Sequence, residues 1–296
     1  MRIVHYFFCC IVASLLFTVS LAVAENTNDM PQQKIVLQKG DKPLAQYRYV
    51  GVPFKPYIDE LRTPSGKNIL RDAPWDHLHH HALMYAIRVN GCNFWEEANA
   101  DYGTQKTLQY RAKADSIESD IDWNTPESKT LLKETRKIRV DGKNDVTLLD
   151  WSGTFKAVGD TVLGGAGHYY GLGLRFLQEM DKGGRFFNST GKNDGEIVNG
   201  DERLTPCRWM AYTAKADEQA VTVAVFDHPL NPVPMTAFTM GDAGGPFAYI
   251  SATMNMHRKP INLKAAESFA VKYRVAVWDG EIPPETIEAQ YREFVQ

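Results

Sequence analysis

The feature that bears hardest on this chain is a recurrence of short β-prone runs. Segments such as KIVLQ, ALMYAIRV, TRKIRV, VTLLDWSGTF, YYGLGLRFL, AVTVAVFD, FAYISATM and FAVKYRVAVWDG alternate apolar with polar residues or concentrate β-branched ones, which is the signature of strands. Turn chemistry separates them at Asn90-Gly91, Asp141-Gly142, Lys182-Gly183-Gly184 and Asp279-Gly280, where residues tolerant of positive φ reverse the chain. Helix signal is confined to PPETIEAQYREFV, in which Pro283 and Pro284 precede a first turn containing Glu285. The pattern predicts an all-β protein: an antiparallel β-sandwich, supersandwich-like, over residues 25–296 as one domain. Long loops are expected at about 71–81, 96–106 and 183–208, with a short helix at the C-terminus.

The first residues have the form of a secretory signal. Arg2 precedes an apolar run from Tyr6 to Val19, and Ala22-Val23-Ala24 provides a small-x-small site before Glu25. The apolar run falls short of the ~20 residues of a comfortable membrane span. Residues 1–24 are therefore read as a removed signal, and the protein as periplasmic or secreted with no stable membrane span after cleavage. Removing the signal takes away Arg2 and no acid, so the formal charge of -3 becomes -4. Such mild acidity gives no electrostatic footprint for nucleic acid. Of the four cysteines, Cys92 and Cys207 would remain, as one disulfide or as two separate thiols.

The stretch RDAPWDHLHHHALMYAIRVNG gathers four of the eight histidines, His77, His79, His80 and His81, directly after Asp76. Pro74 disfavours helix at the residue before it, so the chain enters the cluster as a loop. If extended structure begins early, His77, His79 and His81 point one way and His80 the other. If it begins late, the loop can gather any three. From His81 the chain reads as a strand that turns at Asn90-Gly91 and returns through CNFWEE, carrying Glu96 and Glu97 toward the histidines. Three uses fit these residue types. One is a divalent metal ion held by His77, His79 and a carboxylate. Another is metal-free proton transfer, with an acid setting an imidazole tautomer. The third is a solvated loop whose imidazoles satisfy local backbone groups.

Elsewhere, GGAGHYYGLGLRF sets His168 and two tyrosines among glycines ahead of Arg175. Glycines there let a backbone approach a ligand or another strand. The polar stretch before Arg208 and Trp209 could wall a polar substrate, and Trp95 could stack on a sugar ring. His228 ends a strand next to Asp227, too close for an orienting pair. No G-x-S-x-G elbow, phosphate loop or dinucleotide fingerprint occurs, so serine catalysis and a nucleotide cofactor are disfavoured.

The pieces KPYIDELRTPSGKNILRDAPWDHLHHHAL, VNGCNFWEE, FDHPLNPVPMTAF and AAESFAVKYRVAVWDG resemble the bacterial DUF6807 proteins, a group labelled "methane oxygenase PmoA-like". The likeness runs from about residue 47 to 281, and the group's Asp-His-x-His-His pattern falls on Asp76, His77, His79 and His80. An integral membrane oxygenase needs long apolar helices, which the mature sequence lacks, so the oxygenase label is set aside. The resemblance implies a secreted or periplasmic β-sandwich whose relatives can be fused to sugar oxidoreductase domains, hence carbohydrate chemistry by analogy. The resulting expectation is an enzyme that hydrolyses a small-molecule or glycan substrate, or cleaves it by elimination. His77, His79, His80, His168 and Glu97 are the candidate catalytic residues, and Arg175, Trp95, Arg208 and His228 the candidate substrate contacts. A non-catalytic carbohydrate-binding or cell-envelope protein is the alternative.

Overall fold

Strict alternation along Thr147–Ala157 sends Leu149, Trp151 and Phe155 into the main core, while Leu148 joins a smaller cluster on the opposite face. That strand lies in the middle of one of two large sheets. The structure is a computed structural model and describes residues 22–23 and 33–296 apart from 53, 98–101, 144, 166, 193 and 242–244. The first nine-stranded sheet runs Ala22–Val23, Thr104–Ala112, Ser116–Asn124, Thr130–Gly142, Thr147–Ala157, Ser268–Asp279, Gln219–Asp227, Trp209–Ala216, Arg185–Asn188. The second, also nine-stranded, runs Glu196–Asn199, Glu202–Pro206, Thr236–Met240, Tyr249–Thr253, Gly171–Arg175, Leu83–Ala86, Tyr57–Leu61, Lys42–Val50, Gln33–Lys39. A four-stranded sheet joins Ile261–Leu263, Thr161–Leu163, Arg88–Val89 and Cys92–Asn93. The strands within each sheet pair antiparallel.

The two large sheets face each other across the main core. Tyr85 of the second sheet stacks on Trp151 of the first, with ring centroids 4.7 Å apart, so aromatic burial fixes the sandwich. On the far side of the first sheet, Ala224, Phe226, Ala276 and Trp278 are covered by Ile287 and Tyr291 of the helix Pro284–Phe294. The protein is an all-β antiparallel sandwich with a short C-terminal helix. The expected loop at 183–208 is not one loop, because it contains the strands Arg185–Asn188, Glu196–Asn199 and Glu202–Pro206. These strands are short, lie at or beside sheet edges and leave polar side chains in solvent, so their runs carry little apolar periodicity. Of the loop expected at 96–106, residues 98–101 lie outside the described residues, and its end already belongs to the strand Thr104–Ala112. No disulfide joins Cys92 to Cys207; Cys92 is buried and Cys207 half-buried. Of the expected signal segment, Ala22 and Val23 pair with Tyr110 and Gln109; residues 1–21 and 24 lie outside the described residues.

The side of the second sheet turned away from the core positions the site. Leu172 pairs with Tyr85 and both enter the sandwich, so the neighbouring Gly173 and Arg175 face outward, as does Tyr249 opposite Arg175. The histidine loop and the end of the Asn90-Gly91 hairpin fold over this outer face.

Candidate active site

The histidine loop is closed by its own backbone. His77 N donates to Pro74 O at 2.9 Å, His80 N to His77 O at 2.9 Å, and Ala73 N to His80 O at 3.0 Å. Arg71 N and Ala82 O then bond across to the backbone of Arg175, which fastens both ends of the loop to one strand. Ala73 and Ala82 bracket it at φ 41° and 46°, a left-handed conformation that a non-glycine residue holds only when its surroundings impose it. Extended structure therefore starts late, and the loop gathers His77, His79 and His80. Their rings approach to 4.6 Å for His77–His80 and His79–His80, and 5.6 Å for His77–His79. Trp75, 84% exposed, and Leu78 project into solvent from the same loop.

A cavity of about 280 Å³ opens beside these rings. Its walls are the aromatic side chains of Trp95, Tyr169, Phe238, Phe247 and Tyr249, and its polar groups are the three histidines with Glu96 and Glu202. Gly173 lies beneath it for a steric reason. A Cβ there would stand 2.1 Å from Tyr249 Oη and 2.8 Å from the Trp95 ring, so the floor can form only over a residue without a side chain.

The electrostatics separate the histidines. Burial, reinforced by Lys55 and His77, pulls the half-buried His79 imidazole down to about 4, so it is neutral near pH 7. Burial pushes His80 further below the usual imidazole range, helped by its histidine neighbours, and its Nδ1 has no hydrogen-bond partner among the described residues. His77 Nδ1 lies 3.2 Å from Asp76 Oδ2, which also accepts from Arg175 Nη2 at 3.0 Å. Burial works against the Asp76 carboxylate, but His77 and Arg175 outweigh it and hold its pKa below the ordinary value.

His81 points the other way. Its Nδ1 meets Asp72 Oδ1 at 2.9 Å and its Nε2 meets Glu97 Oε1 at 3.0 Å. Glu97 is also paired with the fully buried Lys55, and Asp72 accepts from Tyr57 Oη at 2.8 Å. Burial disfavours the His81 cation, but the two carboxylates outweigh it and raise its pKa. With His81 protonated, two carboxylates face two cations and the network is neutral, which is the form in which buried charges persist.

The sequence candidates are thus divided. The structure brings His77, His79, His80 and Trp95 to one cavity. Glu97 instead belongs to the network behind them. His168 stands one step out, with Nε2 at 2.8 Å from Glu202 Oε2. Arg175 is 1% exposed and lies 3.7 Å from the centre of the Phe247 ring, outside the cavity lining. Arg208 pairs with Glu288 of the C-terminal helix, and His228 packs against Phe294 of that helix, so neither joins the histidines. Among the described residues, no group of three or more His, Cys, Asp or Glu side chains is placed to hold a metal ion. No helix among them is long and apolar enough to cross a membrane.

Sequence reasoning passed over Glu202, Phe247 and Tyr249, which come from strands or turns distant in sequence, and it gave His81 no role. Glu96 was named as a carboxylate that the hairpin carries toward the histidines, and Tyr169 was visible only as a neighbour of His168. Tyr169 Oη donates to Glu96 Oε1 at 2.9 Å and Asn93 Nδ2 donates to Glu96 Oε2 at 2.7 Å, which fixes this carboxylate in the cavity wall. Burial first, then the neighbouring Tyr170 and Glu96, raise the Tyr169 pKa, so its phenol keeps its proton.

No curated protein matches the chain. Solved structures similar to it include the GH36 α-galactosidase AgaA from Geobacillus stearothermophilus, at 13% identity and a TM-score of 0.50, covering 84% of this chain and 41% of that one. The α-galactosidase from Lactobacillus brevis is similar at 9% identity and a TM-score of 0.50, covering 84% of this chain and 40% of that one. At these identities the likeness is one of fold, and the chain spans about two fifths of the length of those proteins. The family that matches by sequence is described as one of unknown function, a description that lends no support to the PmoA-like label. With residues 34–292 matched, the chain belongs to that family, DUF6807.

Proposed function

We propose that this protein is an exported enzyme that transfers protons on a carbohydrate or sugar-derived substrate, by elimination or hydrolysis, in the cavity beside the histidine loop. The observation that carries the reading is His79: a partly exposed imidazole, held neutral down to about pH 4, in a cavity walled by aromatic rings. A neutral imidazole can accept a proton, and apolar walls strengthen its interaction with a developing charge. Aromatic faces suit the C–H faces of a sugar ring, and a cavity of about 280 Å³ suits a ligand near the size of a monosaccharide. The two α-galactosidases that share the fold lend the carbohydrate class by analogy alone. Export rests on the signal-like first 24 residues.

In this reading His79 takes a proton in one of two ways: in an elimination from the carbon next to a carbonyl, the leaving group departing with its electron pair from the adjacent carbon, and in a hydrolysis from the attacking water. Glu96, oriented by Tyr169 and Asn93, fixes the ring through one of its polar substituents, and His80 and Tyr249 form the wall behind it. Arg175 acts at one remove. Its bond to Asp76 sets the residue that orients His77.

The test is a panel of oligosaccharides and amino-sugar glycosides, followed for new reducing ends and for the ultraviolet absorbance of unsaturated products. On a substrate so found, His79→Ala should lower kcat/KM by about 100-fold or more with little change in melting temperature. Since the base works unprotonated, activity should rise with pH through about 4 and be level toward neutrality. Wild-type turnover in His79→Ala would remove the assignment. Glycan binding without turnover anywhere in the panel would favour a non-catalytic binding protein.

A further inference from the structure

The charge lining the cavity is one-sided. Glu96 and Glu202 contribute carboxylates, while no Lys or Arg is among the lining residues described. His79 and His80 offset neither, since burial holds both imidazoles neutral near pH 7, and the third lining imidazole, His77, turns its Nδ1 to Asp76 at 3.2 Å. Two cations lie close behind the wall, and each is ion-paired there with a carboxylate outside the lining. Lys55 is fully buried, paired with Glu97 and donating to Trp95 O at 3.0 Å. Arg175 is paired with Asp76 and stacked against Phe247. His168 bonds to Glu202, and even a charged His168 would leave Glu96, which accepts from the neutral donors Tyr169 and Asn93.

A partly enclosed cavity with two carboxylates and aromatic faces has no Lys or Arg of its own among the lining residues described. Aromatic quadrupoles and carboxylates together form the environment that recognises an ammonium group. It is equally hostile to an anionic sugar, whose carboxylate would meet two others with no lining cation to pair with.

We propose that the cavity selects a protonated amino sugar, with the ammonium held at Glu96 and Glu202 and the ring laid on the aromatic wall. This rests on the reading of the cavity as a carbohydrate site and adds the substrate class. It leaves Arg175, expected as a substrate contact, outside the cavity lining, where its Nη2 pairs with Asp76.

The probes are glucosamine, N-acetylglucosamine, glucose and glucuronate, titrated at neutral pH into the full, untagged protein by saturation-transfer NMR. Glucosamine and its N-acetyl form share a ring and differ in charge. Glucosamine should bind about tenfold tighter than N-acetylglucosamine or glucose, and glucuronate should be weakest. In Glu96→Gln the preference for glucosamine over glucose should shrink to about threefold or less, with glucose binding retained. Glu202→Gln provides the same comparison if Glu96→Gln fails to fold. Equal or tighter binding of the neutral sugars, preference for glucuronate, or an undiminished preference in a folded variant would overturn the proposal while leaving a carbohydrate site in place. Failure of all four sugars to bind the folded protein would overturn the carbohydrate reading as well.

Discussion

His81 is the histidine with the most defined surroundings, and it faces away from the cavity. Asp72 and Glu97 clamp it from both sides, and Lys55 and Tyr57 close the ends of the network. Removing one member of such a buried set leaves its partners as uncompensated charges. His81→Ala should therefore cost about 3 kcal/mol and lower the melting temperature by roughly 5–10 °C. Because the pKa of His81 is raised on folding, its contribution is complete below the ordinary imidazole value and fades as the pH climbs through the raised one. The difference between wild type and His81→Ala, read by thermal melts across pH, should narrow on the alkaline side; a variant as stable as wild type at every pH would contradict the clamp. In sequence the four histidines look alike, and the Asp-His-x-His-His pattern excluded this one. What distinguishes His81 is the hairpin that returns Glu97 to its Nε2, a contact across 16 residues that no local spacing specifies.

Gly171–Arg175 is the strand on which the site rests, because it bonds to both ends of the histidine loop and forms the floor with Gly173. Gly173→Ala should force Tyr249 or Trp95 off its position, costing about 1–3 kcal/mol and weakening sugar binding more than a surface change of the same size. Thermal melts and the sugar titration measure both effects, and unchanged binding would mean that the floor is not where the geometry puts it. Strands with one mainly apolar face, such as Gln219–Asp227 and Ser268–Asp279, were legible in the sequence. Thr104–Ala112 and Ser116–Asn124 were not, and the reason is chemical. Their inward positions include Gln105, Thr107 and Ser119. Gln105 spends its side chain on Arg136 and on Tyr85 O, and Trp123 donates to Glu134, so this end of the interior is polar and hydrogen-bonded. Alternation of apolar with polar residues cannot reveal a strand whose buried face is itself partly polar.

At the scale of the molecule, the sandwich and its C-terminal helix could be read from periodicity and turns, but the cavity could not. Its lining comes from the histidine loop, the end of a hairpin, the Gly-rich approach to Gly171, the strands Glu202–Pro206, Thr236–Met240 and Tyr249–Thr253, and the turn before Tyr249. Only the order of strands in the second sheet makes these neighbours. The helix serves the opposite side, where it covers Phe226, Ala276 and Trp278. Deleting residues 284–296 should expose that apolar face, lower the melting temperature and promote self-association visible by light scattering, while sparing sugar binding. A truncated protein that stays monodisperse and equally stable would show the helix to be dispensable. The exposed Trp75 has an optical consequence. The other five of the six indoles, at Trp95, Trp123, Trp151, Trp209 and Trp278, are fully buried. A water-borne quencher therefore collides with one emitter, placed on the histidine loop itself, and the fluorescence it extinguishes reports that loop against a shielded background.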